Sequence, residues 1–342
     1  MNKMMKIGRG AAAICLAITT LLAGVLTAPI TAYAGEVAHI EKSKPGDLMP
    51  YDAPNPIPES FNVPTQVFGY GGEYFVLDAY NQQILHSKNV YNAPESWNVM
   101  GNKLYRPHAL ATDGILYVAV DTDNDRVVTY GKNEKGFQVV ETFEGVGIRP
   151  HYVTYDQTTG FFYVWSSMTG VMYLYQRVPN TLQLQLVKAV PVADLYGAYT
   201  RSFTIDGNYI YFPSMGKNAI YVVDKKTFKL LAVYPVAQEL GGMVQVLHIQ
   251  NYYYLVTSSD AAGDQKKQAF VRSASLAGFV PGGYEDASAL MGGLDGVPYY
   301  ITQLEDGRYY TPVIMGYYTL PYICRFEIVN DTFTNVKQMK YK

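Results

Sequence analysis

The chain has 342 residues, 49% of them hydrophobic, which is enough to bury one large core, and its formal net charge is −2. No basic run follows the N-terminal segment, so nucleic acid lacks an electrostatic basis as a partner. Two cysteines, Cys15 and Cys324, are too few for a disulfide-stabilised scaffold.

The first 34 residues have the three parts of a secretory signal. A basic start is followed by an almost wholly apolar stretch at residues 11–26 and by small residues before Gly35. A retained membrane anchor is disfavoured because the stretch is shorter than the ~20 residues that a spanning helix needs. A lipid anchor is disfavoured because Cys15 begins the apolar stretch. We therefore expect residues 1–34 to be a signal peptide of a secreted or extracellular protein, with no membrane span after cleavage.

Residues 35–64 are predicted to form an extended lead-in. Six prolines between positions 45 and 64 exclude a helix and limit strand pairing. The segment is either an ordered strap on the surface or a disordered spacer. Residues 36–42 could also add one strand to the domain that follows.

Residues 65–342 contain a repeat whose centre is a β-rich segment. These segments lie at residues 73–78, 115–121, 161–165, 209–212, 252–256 and 308–313. An aromatic residue occupies the equivalent place in each: Phe75, Tyr117, Tyr163, Tyr211, Tyr254 and Tyr310. Intervals of 42 to 56 residues between them match the period of a four-stranded propeller blade.

The second repeat shows the order of strands most clearly. Its predicted strands are residues 107–112, 115–120, 126–130 and 137–143, with Asp113 and Gly114 at a hairpin turn. The same Asp-Gly turn recurs at positions 206–207 and 306–307, and helix is expected only as a short turn within residues 285–291. The pattern predicts an all-β fold, a six-bladed β-propeller of four-stranded antiparallel blades.

Two segments carry a resemblance to known repeats. Residues 106–114, which begin with Arg106, Pro107 and His108, and residues 149–156, which begin with Arg149, Pro150 and His151, resemble the blades of NHL and YVTN repeat propellers, here of a secreted bacterial type. The resemblance covers residues 65–340 and implies the fold more strongly than any activity. An array of β-sandwiches or a β-helix is the alternative, which the repeat length disfavours.

Antiparallel pairing places the starts of the first strands beside the loops that leave the second strands, at one mouth of the central channel. The predicted ligand-binding residues at this mouth are Gln66, Arg106, His108, Arg149, His151, Arg201, Gln245 and Tyr300. The arginines have two interpretations, which the sequence leaves open. They either bridge adjacent blades or bind a carboxylate or another anion.

A metal site is the second interpretation of the two histidines. His108 and His151 occupy equivalent places in neighbouring blades and could hold Zn²⁺ together with a third ligand, for which His248 is the candidate. Zinc-dependent lyases on NHL-type propellers resemble this arrangement, although His248 lies three residues further along its strand. No cofactor is expected, and one divalent metal, Zn or Ca, is the alternative.

Other catalytic and metal-binding motifs are missing from the sequence. Residues 121–125 resemble a calcium loop, but Arg126 and Lys132 stand where an EF-hand needs Gly and Glu, so a polar turn is predicted. Lactonases on six-bladed propellers use a metal held by Glu, Asn and Asp, and the first strands offer no such set. No Gly-x-Ser-x-Gly motif is present either.

Tyrosine is abundant, with 32 residues, and it either fills the space between blades or presents flat amphipathic faces to a ligand. Predicted loop tyrosines are Tyr196, Tyr199, Tyr299, Tyr300, Tyr317 and Tyr318. We expect a binding module of the cell envelope or exterior that recognises a glycan, peptide or anionic small molecule. The alternative is a metal-dependent lyase or hydrolase with His108 and His151 as ligands and an arginine as electrophilic anchor.

Overall fold

A computed structural model describes residues 42–43, 56–192, 194–263, 269–314 and 320–341. The predicted signal peptide and most of the lead-in lie outside these residues, as do Tyr317 and Tyr318. None of the helices in the described ranges combines the length and apolar character that crossing a membrane requires.

Six antiparallel sheets form the ring of a β-propeller, as predicted. Blade 1 contains β2 (Pro64–Tyr70), β3 (Glu73–Asp78), β4 (Gln83–Ser87) and β5 (Asn98–Gly101). Blade 2 contains β6 (Pro107–Thr112), β7 (Leu116–Asp121), β8 (Arg126–Asn133) and β9 (Gly136–Phe143), with β1 (Lys42–Ser43) added at its outer edge. Blade 3 contains β10 (Pro150–Asp156), β11 (Phe161–Ser166), β12 (Val171–Arg177) and β13 (Leu184–Pro191).

The other three blades follow in chain order. Blade 4 contains β14 (Thr204–Asp206), β15 (Tyr209–Ser214), β16 (Ala219–Asp224) and β17 (Leu230–Pro235). Blade 5 contains β18 (Met243–Ile249), β19 (Tyr252–Thr257), β20 (Ala269–Ser273) and β21 (Glu285–Asp286), followed by the helix α1 (Ala287–Leu290). Blade 6 contains β22 (Val297–Pro298), β23 (Thr302–Gln303), β24 (Tyr309–Ile314), β25 (Tyr322–Val329) and β26 (Thr332–Met339).

The repeated aromatic residues centre the blades. Each lies on the second strand of its sheet and is at most 5% exposed: Phe75, Tyr117, Tyr163, Tyr211, Tyr254 and Tyr310. Phe75 and Tyr117, from neighbouring blades, have ring centroids 5.5 Å apart. The aromatic rings therefore fill the space between sheets, where their burial stabilises the ring of blades.

Hairpin turns join the strands where Asp-Gly pairs predicted them. Asp113 Oδ1 accepts hydrogen bonds from the backbone N–H groups of Ile115 and Leu116, and Gly114 adopts a φ of 93°. A side chain at Gly114 would be strained in this conformation. The short helix α1 falls within the predicted residues 285–291, and Asp286 caps it by accepting from the N–H of Ala289.

The first strands of blades 4 and 6 are shorter than the repeat predicts. Blade 4 begins its sheet only at Thr204, and the first strand of blade 6 is split into β22 and β23. In blade 6 two N–H groups between β22 and β23 bond to neighbouring blades: Tyr300 donates to the Thr65 carbonyl (3.2 Å) and Ile301 to the Gln245 side chain (2.8 Å). Bonds to neighbouring blades thus replace part of the sheet ladder.

Candidate functional site

In four blades the backbone is left-handed at the residue just before the one that pairs with the end of the second strand. The φ angles are 58° at Val63, 55° at Arg106, 58° at Arg149 and 41° at Tyr199. Non-glycine residues adopt this conformation only where the surrounding structure holds it, and such residues cluster at ligand sites. The same strained position therefore carries Arg106, Arg149 and Tyr199 at one mouth of the channel.

Aspartates at the ends of the second strands hold this backbone in place. Asp78 accepts from the N–H of Asn62 (2.8 Å), and Asp121 accepts from the N–H of Tyr105 (2.5 Å). Burial raises the pKa of Asp78 to about 7. In blade 2, Arg126, which follows the predicted polar turn, donates its Nε–H to Asp121 (2.7 Å). Both aspartates are structural.

Three arginines lie around the mouth, and we call Arg106, Arg149 and Arg201 the arginine cluster. Asp123 bridges two of them, with its carboxylate 3.0 Å from Arg106 Nη1 and 3.1 Å from Arg149 Nη2. The guanidinium carbons of Arg149 and Arg201 lie 5.4 and 5.3 Å from the centroid of the Tyr199 ring. One carboxylate and one aromatic ring therefore organise three positive charges.

Two histidines lie beneath the arginine cluster with ring centroids 4.0 Å apart. His108 Nδ1 is 2.7 Å from the Arg106 carbonyl oxygen, which can only accept, so Nδ1 carries the proton. His151 Nδ1 is 2.8 Å from the Tyr300 hydroxyl, which lies 3.1 Å from the Arg201 carbonyl oxygen. The phenol has one proton, so either it donates to that carbonyl and accepts from His151 Nδ1–H, or it donates to Nδ1 and His151 carries its proton on Nε2.

Both imidazoles are neutral at physiological pH. Burial, with the positive charges of Arg149 and Arg201, lowers the pKa of His108 to about 3. Burial also lowers the pKa of His151 well below its usual value, and His108 and the arginines add to this effect. The histidines therefore offer lone pairs and N–H groups, and they carry no charge of their own.

Five buried polar atoms around this mouth lack a hydrogen-bond partner within the described part of the chain. They are Arg149 Nε, His151 Nε2, Ser167 Oγ, Thr200 Oγ1 and Arg201 Nε, which we call the unpaired cluster. Backbone bonds join its members, because the Ser167 N–H donates to the Arg149 carbonyl (2.9 Å) and the Thr200 N–H donates to the Ser167 carbonyl (3.2 Å). Buried polar groups without a partner are rare in native proteins and occur at strained or catalytic positions and where water or an ion binds.

Other predicted site residues are used between blades. Gln66 accepts from the N–H of Leu110 (2.7 Å). Gln245 accepts from the N–H of Ile301 (2.8 Å) and donates to its carbonyl (3.3 Å). Tyr300 is fully buried, with its hydroxyl committed as described above. These three side chains hold inner strands together, whereas Arg149, Arg201 and His151 carry unpaired atoms.

The third histidine does not join the pair. His248 lies near the far end of β18, where its Nδ1 is 2.9 Å from Asp206 Oδ2 and its ring stacks on Tyr253 at 4.4 Å. Across the described ranges, no group of three or more His, Cys, Asp and Glu side chains is arranged to hold a metal ion.

Tyr80 and Thr200 also belong to the mouth, although neither was among the predicted site residues. The guanidinium carbon of Arg106 lies 5.0 Å from the Tyr80 ring centroid. The repeat register could have found this tyrosine, because Tyr80 follows Asp78 by the same two positions as Asp123 follows Asp121. No sequence signal marks Thr200, because its hydroxyl is buried without a partner only once the blades have assembled.

No protein-family model and no curated protein matches the chain. Solved structures match it in fold. A Bacteroides uniformis protein provisionally named a 6-phosphogluconolactonase aligns with a TM-score of 0.56 and 10% identity, covering 81% of this chain and 84% of that one. A Bacteroides fragilis protein with the same provisional name aligns with a TM-score of 0.51 and 13% identity, covering 83% of both chains. At these identities the likeness is one of fold alone.

Proposed function

We propose that the chain is an exported β-propeller that binds an acidic sugar, or another hydroxy-carboxylate, at the mouth formed by the arginine cluster. The observation that carries this proposal is the unpaired cluster, in which the Nε–H donors of Arg149 and Arg201 are buried without an acceptor among the described residues. An unsatisfied buried donor costs about 1–3 kcal/mol, which a ligand with carboxylate oxygens would recover.

The remaining members of the unpaired cluster favour a ligand with hydroxyl groups. His151 Nε2 accepts or donates a hydrogen bond according to its tautomer, and the hydroxyls of Ser167 and Thr200 can do either. A sugar acid offers both kinds of partner, since its carboxylate accepts from guanidinium groups and its hydroxyls donate to an imidazole or accept from it. Tyr199 adds an aromatic face beside Arg149 and Arg201.

A divalent metal held by His108 and His151, as in a lyase or hydrolase, is the second candidate. The short distance between the two rings favours it. The three guanidinium groups oppose it, because the positive charge that lowers the pKa of both histidines would also repel a dication. Metal content, measured by mass spectrometry on protein purified without a His tag, separates this candidate from the first.

Isothermal titration with trigalacturonate and with 6-phosphogluconate tests the proposal. The second probe is chosen because two structures of the same fold carry the name of a 6-phosphogluconolactonase. We expect at least one acid to bind and Arg149→Ala and Arg201→Ala each to weaken it by roughly tenfold or more, since charged hydrogen bonds contribute about 1.5–3 kcal/mol. Arg308→Ala is the matched control, because Arg308 pairs with Asp306 and Glu327 at the other end of the channel.

Asp123→Asn should change acid binding in the opposite direction in the same titration. Its carboxylate neutralises Arg106 and Arg149, so the variant should bind the acid more tightly and with a steeper dependence on salt. Failure of both acids to bind, or equal binding by wild type and Arg149→Ala, would contradict the proposal.

A further inference from the structure

A second cavity opens at the end of the channel opposite the arginine cluster. It has a volume of about 430 Å³ and is lined by inner-strand residues of blades 3 to 6, among them Tyr152, Thr154, Phe203 and Thr302. Blades 1 and 2 contribute nothing to its described lining.

Aromatic rings separate this cavity from the arginine cluster. The Tyr152 ring lies 4.8 Å from Tyr300 and 5.4 Å from Phe203, measured between centroids. Tyr300 is fully buried and its hydroxyl bonds to His151 on the other side. The two ends of the channel are therefore separate sites.

A larger cavity of about 640 Å³ lies on the same face, between blades 2 and 3. Its lining includes Ile115, Gln176, Arg177 and Leu182. Tyr155 lines both cavities and is half-buried, so the two cavities adjoin at this residue, and we call them together the groove. The shape suits a chain of linked units more than a single small molecule.

The charged groups of the groove neutralise one another. Asp156 accepts from Lys225 Nζ at 2.9 Å, and Asp113 accepts from Arg177 Nε at 2.5 Å. The remaining polar lining consists of amides and hydroxyls, and Thr302 Oγ1 is buried without a partner among the described residues. Neutral donors and acceptors beside aromatic rings match the hydroxyl groups and apolar C–H faces of sugars.

We propose that this groove binds a neutral oligosaccharide, with one unit in the channel cavity, the next against the face of Tyr155 and further units in the larger cavity. The proposal is independent of the acid site, because Tyr300 and Tyr152 lie between them. Its ligand class differs as well, since this groove offers no uncompensated charge in its described lining.

Titration with cellohexaose, xylohexaose, mannohexaose and chitohexaose tests the proposal on the full chain. We expect one of these neutral oligosaccharides to bind, and Tyr155→Ala to weaken its binding roughly fivefold to tenfold. Gln157→Ala, at an exposed lining residue, should weaken it less and leaves folding untouched. Tyr209→Ala is the control, because this tyrosine is 47% exposed on the same face but lines neither cavity.

The arginine variants distinguish the two sites. Arg149→Ala should bind the neutral oligosaccharide as wild type does, whatever its effect on acids. The proposal is overturned if none of the four oligosaccharides binds, if Tyr155→Ala and Gln157→Ala both bind like wild type, or if Arg149→Ala alone abolishes binding.

Discussion

A single backbone position decides the chemistry of the mouth. Val63, Arg106, Arg149 and Tyr199 occupy equivalent left-handed positions, each just before the residue that pairs with the end of the second strand. One scaffold site therefore carries an apolar, a charged or an aromatic side chain. Beneath them, His108 and His151 are neutral because burial and the neighbouring arginines penalise the imidazolium form. The polarity of the mouth is therefore a property of few residues on a repeated frame.

Because the buried histidines are neutral, we expect the stability of the fold to depend on pH in the acidic range. The folded pKa of His108 is about 3 against 6.5 in the unfolded chain, so between these values the unfolded chain binds a proton that the folded chain does not. The free energy of unfolding should fall on acidification below pH 6.5, by about 1.4 kcal/mol per pH unit for each buried histidine. His108→Gln should flatten this slope by that amount in urea unfolding measured between about pH 7 and pH 4.

Comparing the variant with wild type removes other titrating groups. Asp78, whose pKa is raised to about 7, acts in the opposite direction, since its folded form holds a proton that the unfolded chain has lost above about pH 4. This contribution is the same in both proteins and cancels in the difference. Parallel plots of unfolding free energy against pH for wild type and His108→Gln would contradict this prediction. They would show that His108 has the same pKa in the folded and unfolded chains.

Inner strands of neighbouring blades are joined by side chains, because their edges do not pair as one sheet. Thr65 Oγ1 donates to the His108 carbonyl (2.9 Å), and Ser202 Oγ donates to the Val244 carbonyl (2.6 Å). Gln245 satisfies both backbone groups of Ile301. These bonds supply partners to edge groups that would otherwise be buried unpaired.

Gln245→Ala tests this role of the inner strands. It leaves the N–H and carbonyl of Ile301 without their partner, which should lower the free energy of unfolding by about 2–4 kcal/mol. Acid binding at the mouth should not change. Gln157→Ala, an exposed amide on the same face, is the control in the same denaturant titration. A stable variant that has lost acid binding would instead make Gln245 a ligand residue.

Closure of the whole ring depends on the two ends of the described domain. No strand is exchanged between blades 1 and 6 in the described residues, since the sheets of these two blades each use strands that are consecutive in the chain. Phe61 packs edge-on against Trp97 at 5.8 Å and Tyr341 at 5.3 Å, and the Tyr341 hydroxyl donates to the Val90 carbonyl (2.7 Å). Aromatic packing thus joins the segment before blade 1 to the segment after blade 6.

Tyr341→Ala should destabilise the entire ring. Tyr341 is partly buried, and its removal takes an aromatic contact from Phe61, so the free energy of unfolding should fall by about 1–3 kcal/mol, less than for a fully buried aromatic residue. Thermal unfolding should shift to lower temperature as one transition, because the blades depend on closure. Tyr209→Ala, an exposed tyrosine of blade 4, provides the comparison. An unchanged midpoint for Tyr341→Ala would place closure elsewhere.

Local signals in the sequence determined the number of blades and the side of the ring that carries the arginines. The recurring aromatics on second strands, the Asp-Gly turns and the segments at Arg106 and Arg149 all act within one repeat. The alternation of side chains along a strand and the antiparallel pairing of neighbouring strands are both local. They therefore show which end of a blade a residue lies at, whatever the other blades do.

Only the tertiary structure decided which polar atoms remain unpaired and where the groove lies. Gln66 and Gln245 stood in the same predicted set as Arg149 and His151, yet the ring gives the glutamines partners and leaves Arg149 Nε and His151 Nε2 without one in the described residues. The split strand of blade 6 likewise follows from bonds to Thr65 and Gln245, far away in sequence. Hydrogen-bond satisfaction depends on distances between blades, which no single repeat encodes.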